Sequence, residues 1–170
     1  MPFTLAIYGK SGSGKTCTVH GLLPSAWCGY YQERSLDPAV DLFACKPGRS
    51  GKIRDVQGAR KFLRDAGGKT PLCVLDDLGL MINQSYQDFP GGHWDKIHRT
   101  EDELLPLRDE ADQACALGTG VVFTLHELEP HRTTTGKPQR GGFDMPGAVP
   151  EKFAALVHLA ARLRFIGDEE

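Results

Sequence analysis

The chain has 170 residues, 40% hydrophobic and 25% charged, with a mean hydropathy of −0.33. This suits one globular domain over residues 1–170, and no apolar run approaches the ~20 residues of a membrane helix. A net charge of −2 and a pI near 6.3 give no global case for nucleic acid, so any such case has to be local. Five scattered cysteines (Cys17, Cys28, Cys45, Cys73, Cys115), none in a C-x-x-C pair, point to free thiols rather than a zinc site or a disulfide framework. The start, Met1-Pro2-Phe3-Thr4, lacks the basic region and long apolar stretch of a signal peptide, so a cytosolic place is expected.

In chain order, Phe3 to Tyr8 reads as a buried parallel strand ending at Gly9, and Lys15 to Leu23 as a helix stopped before Pro24. Trp27 to Gln32 is a short second strand. From Asp55, the apolar Val56, Ala59 and Leu63 keep helical spacing until Gly67-Gly68. Leu72 to Leu75 is a third strand closed by Asp76-Asp77. Residues Leu78 to Arg99 show no clear period and contain Pro90 and Gly91-Gly92, which predicts a long loop or a short broken helix. Thr100 and Glu103 form a capping-box pattern opening a helix to about Leu117, with Pro106 in its first turns or kinking it. Gly120 to Leu125 is the fourth strand. Pro130 to Pro150, rich in Thr, Gly and Pro, reads as a mobile stretch. Pro150-Glu151 then starts a helix with Phe153, Leu156 and Val157 inward, and Ala160 to Ile166 is a last strand. Strands alternating with helices predict a mainly parallel sheet covered on both faces, a three-layer α/β/α architecture.

The firmest chemical signal is Gly9-Lys10-Ser11-Gly12-Ser13-Gly14-Lys15-Thr16, directly after an apolar strand and continued by Cys17 into a helix. Its glycines let backbone N–H groups turn toward a phosphate, and the following helix offers its positive end. In such a P-loop, Lys15 bridges the β- and γ-phosphates and Thr16 ligates Mg²⁺. The Walker B partner is Leu72-Cys73-Val74-Leu75-Asp76, whose acid at the end of a neighbouring strand can hold Mg²⁺. Asp77 is a secondary candidate, able to polarise water, cap the next helix or face solvent. Hydrolysis needs a water held in line with the γ-phosphate and a carboxylate to orient it; Glu33 is the first candidate. His126, leaving the tip of a strand, is a candidate γ-phosphate sensor, with a histidine satisfied in the core as the plainer alternative.

Gln32-Glu33-Arg34-Ser35-Leu36-Asp37-Pro38, after Gly29-Tyr30-Tyr31, resembles the segment of RecA-type recombinases in which an acid following the second strand activates water; Glu33, Leu36, Asp37 and Pro38 are the matching positions. Walker A, Walker B, Val121 to Leu125 ending in His126-Glu127, and a later Gly141-Gly142…Met145-Pro146-Gly147 loop form an ordered set. That set is similar to small phage-type RecA-like ATPases, which are linked to single-strand annealing and recombination. The resemblance implies a RecA-like P-loop fold, ATP and Mg²⁺ as cofactors, a homo-oligomeric ring or filament, single-stranded DNA as partner, and the host cytoplasm if the chain is phage-encoded. It departs at Leu125-His126, where RecA carries an Asn-Gln pair.

Two local basic stretches bear on partners. Residues 46 to 69 hold eight Lys/Arg against two Asp, which a solvated face explains as well as a nucleic-acid face does. Between Pro130 and Gly142, His131, Arg132, Lys137 and Arg140 occur without any acid; the resemblance places DNA contacts there, and a finger reaching a neighbouring subunit's nucleotide is the alternative. A small P-loop kinase and a nucleotide-gated accessory of a motor assembly are the rival functions. No guanine-specific N-K-x-D pattern is present, which favours ATP.

Overall fold

The computed structural model describes residues 2–22, 26–31, 50–128, 131–132, 138–139, 142–146, 149–155 and 157–164. The strands are β1 (Thr4–Gly9), β2 (Trp27–Tyr30), β3 (Ser50–Lys52), β4 (Leu72–Asp76), β5 (Gly120–Leu128), β6 (His131–Arg132), β7 (Pro138–Gln139), β8 (Gly142–Phe143) and β9 (Leu159–Leu163). The helices are α1 (Lys15–Leu22), α2 (Val56–Ala66), α3 (Leu78–Asp88), α4 (His93–Ala116) and α5 (Val149–Ala154).

The central sheet runs β3-β2-β4-β5-β1-β9 with every one of these pairs parallel, and β8 adds antiparallel to the end of β5. Because β1 lies between β5 and β9 while β4 follows β2 across the sheet, the C-terminal ends of β1, β4 and β5 meet at one edge. Every residue of β4 is buried, as is every residue of β5 from Gly120 to Leu125, as expected of strands covered on both faces. Alternation then divides the side chains. Ala6, Cys73, Leu75, Val121, Phe123 and Leu125 join a large cluster with α2, α3, α4 and α5, whereas Ile7, Val74 and Val122 join a smaller one with Val19 of α1. The three-layer arrangement expected from the sequence is the one observed.

Most elements start where local chemistry directs. The Asp55 carboxylate accepts from the Gly58 backbone N–H at 2.7 Å to open α2, which buries Val56, Ala59, Leu63 and Ala66 along one stripe. The Gly67 N–H closes it on the Leu63 carbonyl. Within α5, Pro150 occupies the first turn and Phe153 is buried as expected, packed edge-on to Phe123 and Phe143. Leu156 lies outside the described residues.

Four expectations need correction. Leu78 to Arg99 takes the second of the two expected forms, helix with a break, but with far more helix than expected: α3 fills Leu78–Asp88, and α4 has already begun at His93. The apolar period is missing because α3 buries only Leu78, Gly79, Met81 and Ile82, and because α4 buries nothing before Ile97. Thr100 is not an N-cap; it sits inside α4, where its hydroxyl donates to the Lys96 carbonyl at 2.8 Å. The helix is opened instead by Asp95, whose carboxylate accepts the Gly92 N–H, and Pro106 lies midway along it. The fourth strand extends past Leu125 to Leu128 because Glu127 and Leu128 pair with β8, inside the stretch read as mobile. Finally, Ser50–Lys52 forms β3, a short polar strand with no alternation to betray it, recognisable only from its pairing with β2.

Candidate phosphate and metal site

The loop between β1 and α1 owes its path to its glycines. Gly12 and Gly14 have φ of 78° and 80°, a left-handed region in which side chains are strained. Gly9 is needed for a different reason: a Cβ there would lie 2.5 Å from the Leu163 carbonyl oxygen of β9 and 2.8 Å from Ser13 Oγ. Lys15, the first residue of α1, is buried, and its ammonium donates back to the carbonyls of Gly9 at 3.0 Å and Lys10 at 2.8 Å. Burial pushes the Lys15 ammonium below its ordinary value, opposed by the charges of Asp77, Asp76 and Glu127.

Walker A and Walker B meet through a hydrogen bond. Thr16 Oγ1 donates to the Asp76 carboxylate, at 2.9 Å to Oδ2 and 3.2 Å to Oδ1, although the residues are far apart in sequence. Burial pushes the Asp76 carboxyl up, and the adjacent Asp77 adds to this. The hydroxyls of Thr124 and Thr16 and the Lys15 charge pull it back down.

Asp77 is the one described non-glycine residue with positive φ, 61°, a conformation worth a functional explanation in a buried residue. It precedes α3 but makes no side-chain cap bond there. Its Oδ1 instead stands 3.2 Å from His126 Nε2, across from β4 on the end of β5. His126 is paired in register with Gly9, so the pair lies beside the start of the phosphate loop.

The structure therefore brings together Gly9 to Thr16, Asp76, Asp77 and His126, with the Cys17 backbone in the first turn of α1. Glu33, Lys137 and Arg140 lie outside the described residues, and Arg132 is described only as backbone in the β6–β7 pair. Of the basic stretch 46 to 69, Arg60 and Arg64 pair with the buried Glu110 of α4, and Lys61 pairs with Asp65 on the exposed side of α2. Two residues escaped sequence reasoning. Thr124, fully buried, donates to Asp76 Oδ1 and accepts the Asp77 N–H at 2.9 Å. Glu127, with its carboxylate nearly buried, pairs with Arg162 of β9 across the end of β1. A threonine or an acid in a β-branched strand carries no local signal of such partners.

The donor set fits a nucleotide with Mg²⁺. A hydroxyl and a carboxylate are hard oxygen donors already turned toward each other, and Ser13 Oγ in the loop is buried without a hydrogen-bond partner. No helix among the described residues is long and apolar enough to cross a membrane.

No protein-family model matches the chain, and no curated protein matches it in sequence. Solved structures do match in shape. The RadB recombinase is 16% identical with a TM-score of 0.54, over 94% of this chain and 73% of that one. The flagellar accessory protein FlaH from Methanocaldococcus jannaschii is 12% identical with a TM-score of 0.55, over 98% of this chain and 74% of that one. A KaiC-like protein from Pyrococcus horikoshii OT3 is 14% identical, also at 0.55, over 98% and 75%. These are RecA-family structures, and likeness at such identities is likeness of fold: the chain has a RecA-like α/β/α fold.

Proposed function

We propose that this chain binds ATP with Mg²⁺ and hydrolyses it. The observation that carries this reading is the hydrogen bond from Thr16 of the phosphate loop to Asp76 at the end of β4, beside a buried lysine. In this reading the loop N–H groups and Lys15 hold the phosphates, Lys15 exchanging its two carbonyl partners for phosphate oxygens. Thr16 and Asp76 hold Mg²⁺, which supplies charge neutralisation at the β- and γ-phosphates. His126, steadied by Asp77, faces the terminal phosphate as its sensor. Glu33 orients the attacking water, as the resemblance to RecA-type recombinases implies, with Asp77 the alternative carboxylate.

The finer reading is an oligomeric ATPase of the phage-type annealing kind, acting on single-stranded DNA in the cytoplasm. The order of motifs and the acid-free basic residues Arg132, Lys137 and Arg140 support it, as does the shape shared with a recombinase. The shape shared with a flagellar accessory protein supports the rival reading, a nucleotide-gated accessory of a motor assembly.

Steady-state ATP hydrolysis by the full chain, with and without single-stranded DNA, separates these. Hydrolysis lost in Lys15→Ala supports the ATPase. Stimulation by DNA that also needs Lys15 supports the finer reading, and hydrolysis indifferent to DNA favours the accessory. Phosphate transfer to a small acceptor would sink both in favour of a kinase. Glu33→Gln is expected to keep nucleotide binding and lose turnover; normal turnover in that variant moves the water-orienting role to Asp77.

A further inference from the structure

Thr124 sits where β5 runs beside β4, wholly buried, on the sheet face that carries α1 and the phosphate loop. Its hydroxyl both donates and accepts within the protein: its proton goes to Asp76 Oδ1, and a lone pair takes the Asp77 backbone N–H at 2.9 Å. Two consecutive acids at the end of β4 are thus fixed by one side chain of β5. With Thr16, it makes two hydroxyls converging on the Asp76 carboxylate, one from each neighbouring element. The Asp77 N–H bond anchors the left-handed turn at φ 61° that directs the Asp77 carboxylate to His126, two residues beyond Thr124 on the same strand. The contacts run in one chain, from Asp76 to Thr124, from Thr124 to Asp77 and from Asp77 to His126.

We propose that Thr124 is a positioning residue. It holds Asp76 aimed at the metal and Asp77 aimed at His126, so that the metal acid and the sensor histidine keep one fixed geometry. The inference rests on the Mg²⁺-ATP reading above and adds a residue that touches neither nucleotide nor metal.

Thr124→Val keeps the shape and removes the hydroxyl; Thr124→Ser keeps the hydroxyl. Binding of a fluorescent ATP analogue to the full chain is followed while Mg²⁺ is titrated, alongside binding of the ADP analogue in EDTA. Losing one hydrogen bond to a charged carboxylate is expected to raise the Mg²⁺ needed for half-maximal ATP binding about tenfold in Thr124→Val. Metal-free ADP binding should stay within about twofold and Thr124→Ser should restore the wild-type requirement, neither of which a merely structural role would produce. Should Thr124→Val fail to fold, Thr124→Ala is read in the same way. An unchanged Mg²⁺ requirement in the hydroxyl-free variant, with binding still weakened in Lys15→Ala, overturns the role of Thr124 and leaves the ATP reading standing. Failure of the wild type to bind the ATP analogue at any Mg²⁺ concentration overturns both.

Discussion

The two faces of the sheet are built to different ends. One is covered by α2, α3, α4 and α5 over a continuous apolar cluster that includes Leu63, Leu75, Leu107, Phe123 and Phe153. The other meets α1 over a smaller cluster around Ile7, Val19, Val74 and Val122, and it is here that Asp76 and Thr124 turn toward the phosphate loop. Stability is concentrated on the first face, where apolar area is removed from water. The second buries Lys15 beside Asp76, and burial disfavours the charged form of each, an effect that their mutual attraction only partly offsets.

Substitutions on either face should therefore separate stability from binding. The largest effect is expected for Phe153→Ala, which empties a site 1% exposed between Phe123 and Phe143. It should cost about 3–5 kcal/mol in chemical denaturation, while the fraction still folded binds nucleotide normally. Lys15→Ala should do the reverse, weakening ATP binding roughly 10- to 100-fold in equilibrium titration with little loss of stability, since charge-assisted bonds to phosphate disappear.

Asp76→Asn tests the second face more finely. Burial raises the Asp76 carboxyl in the folded chain above its ordinary 3.8, so the folded state holds the proton more tightly than the unfolded one. The resulting penalty is absent well below pH 3.8, grows as pH rises toward the raised folded value, and is complete above it. The nucleotide-free variant should accordingly melt higher than wild type at neutral pH, by about 2–4 °C for each ~1 kcal/mol relieved. That difference should shrink toward acid pH in thermal melts, and the variant should have lost Mg²⁺-dependent ATP binding. A variant that melts lower at every pH contradicts the assignment of strain to this face. The smallest effect belongs to Asp65→Asn on the solvent side of α2, whose exposed pair with Lys61 should be worth under ~0.5 kcal/mol in the same denaturation measurement.

The legible parts of this molecule are those whose chemistry is local. Gly12 and Gly14 announce a left-handed loop, Lys15 and Thr16 follow it directly, and Asp55 with Gly67 brackets α2. Asp76 was readable because a run of apolar residues ends on it. What stayed hidden depends on pairing between distant segments. Thr124 is one more β-branched residue until β5 lies beside β4, and nothing near Asp77 in sequence points to His126. The edge strand β3 is visible only through its partner β2. Leu78 to Arg99 misled for a physical reason, since helices exposed along much of their length show no apolar period.

The central claim is that the Thr16–Asp76 face is a Mg²⁺-ATP site. Calorimetric titration of ATP into the full chain, in Mg²⁺ and then in EDTA, for wild type and Lys15→Ala, addresses it most directly. The account predicts one ATP bound per chain in Mg²⁺, markedly weaker binding in EDTA, and binding weakened roughly 10- to 100-fold in Lys15→Ala. Equal affinity in all four titrations, or no heat of binding in the wild type with Mg²⁺, would contradict it.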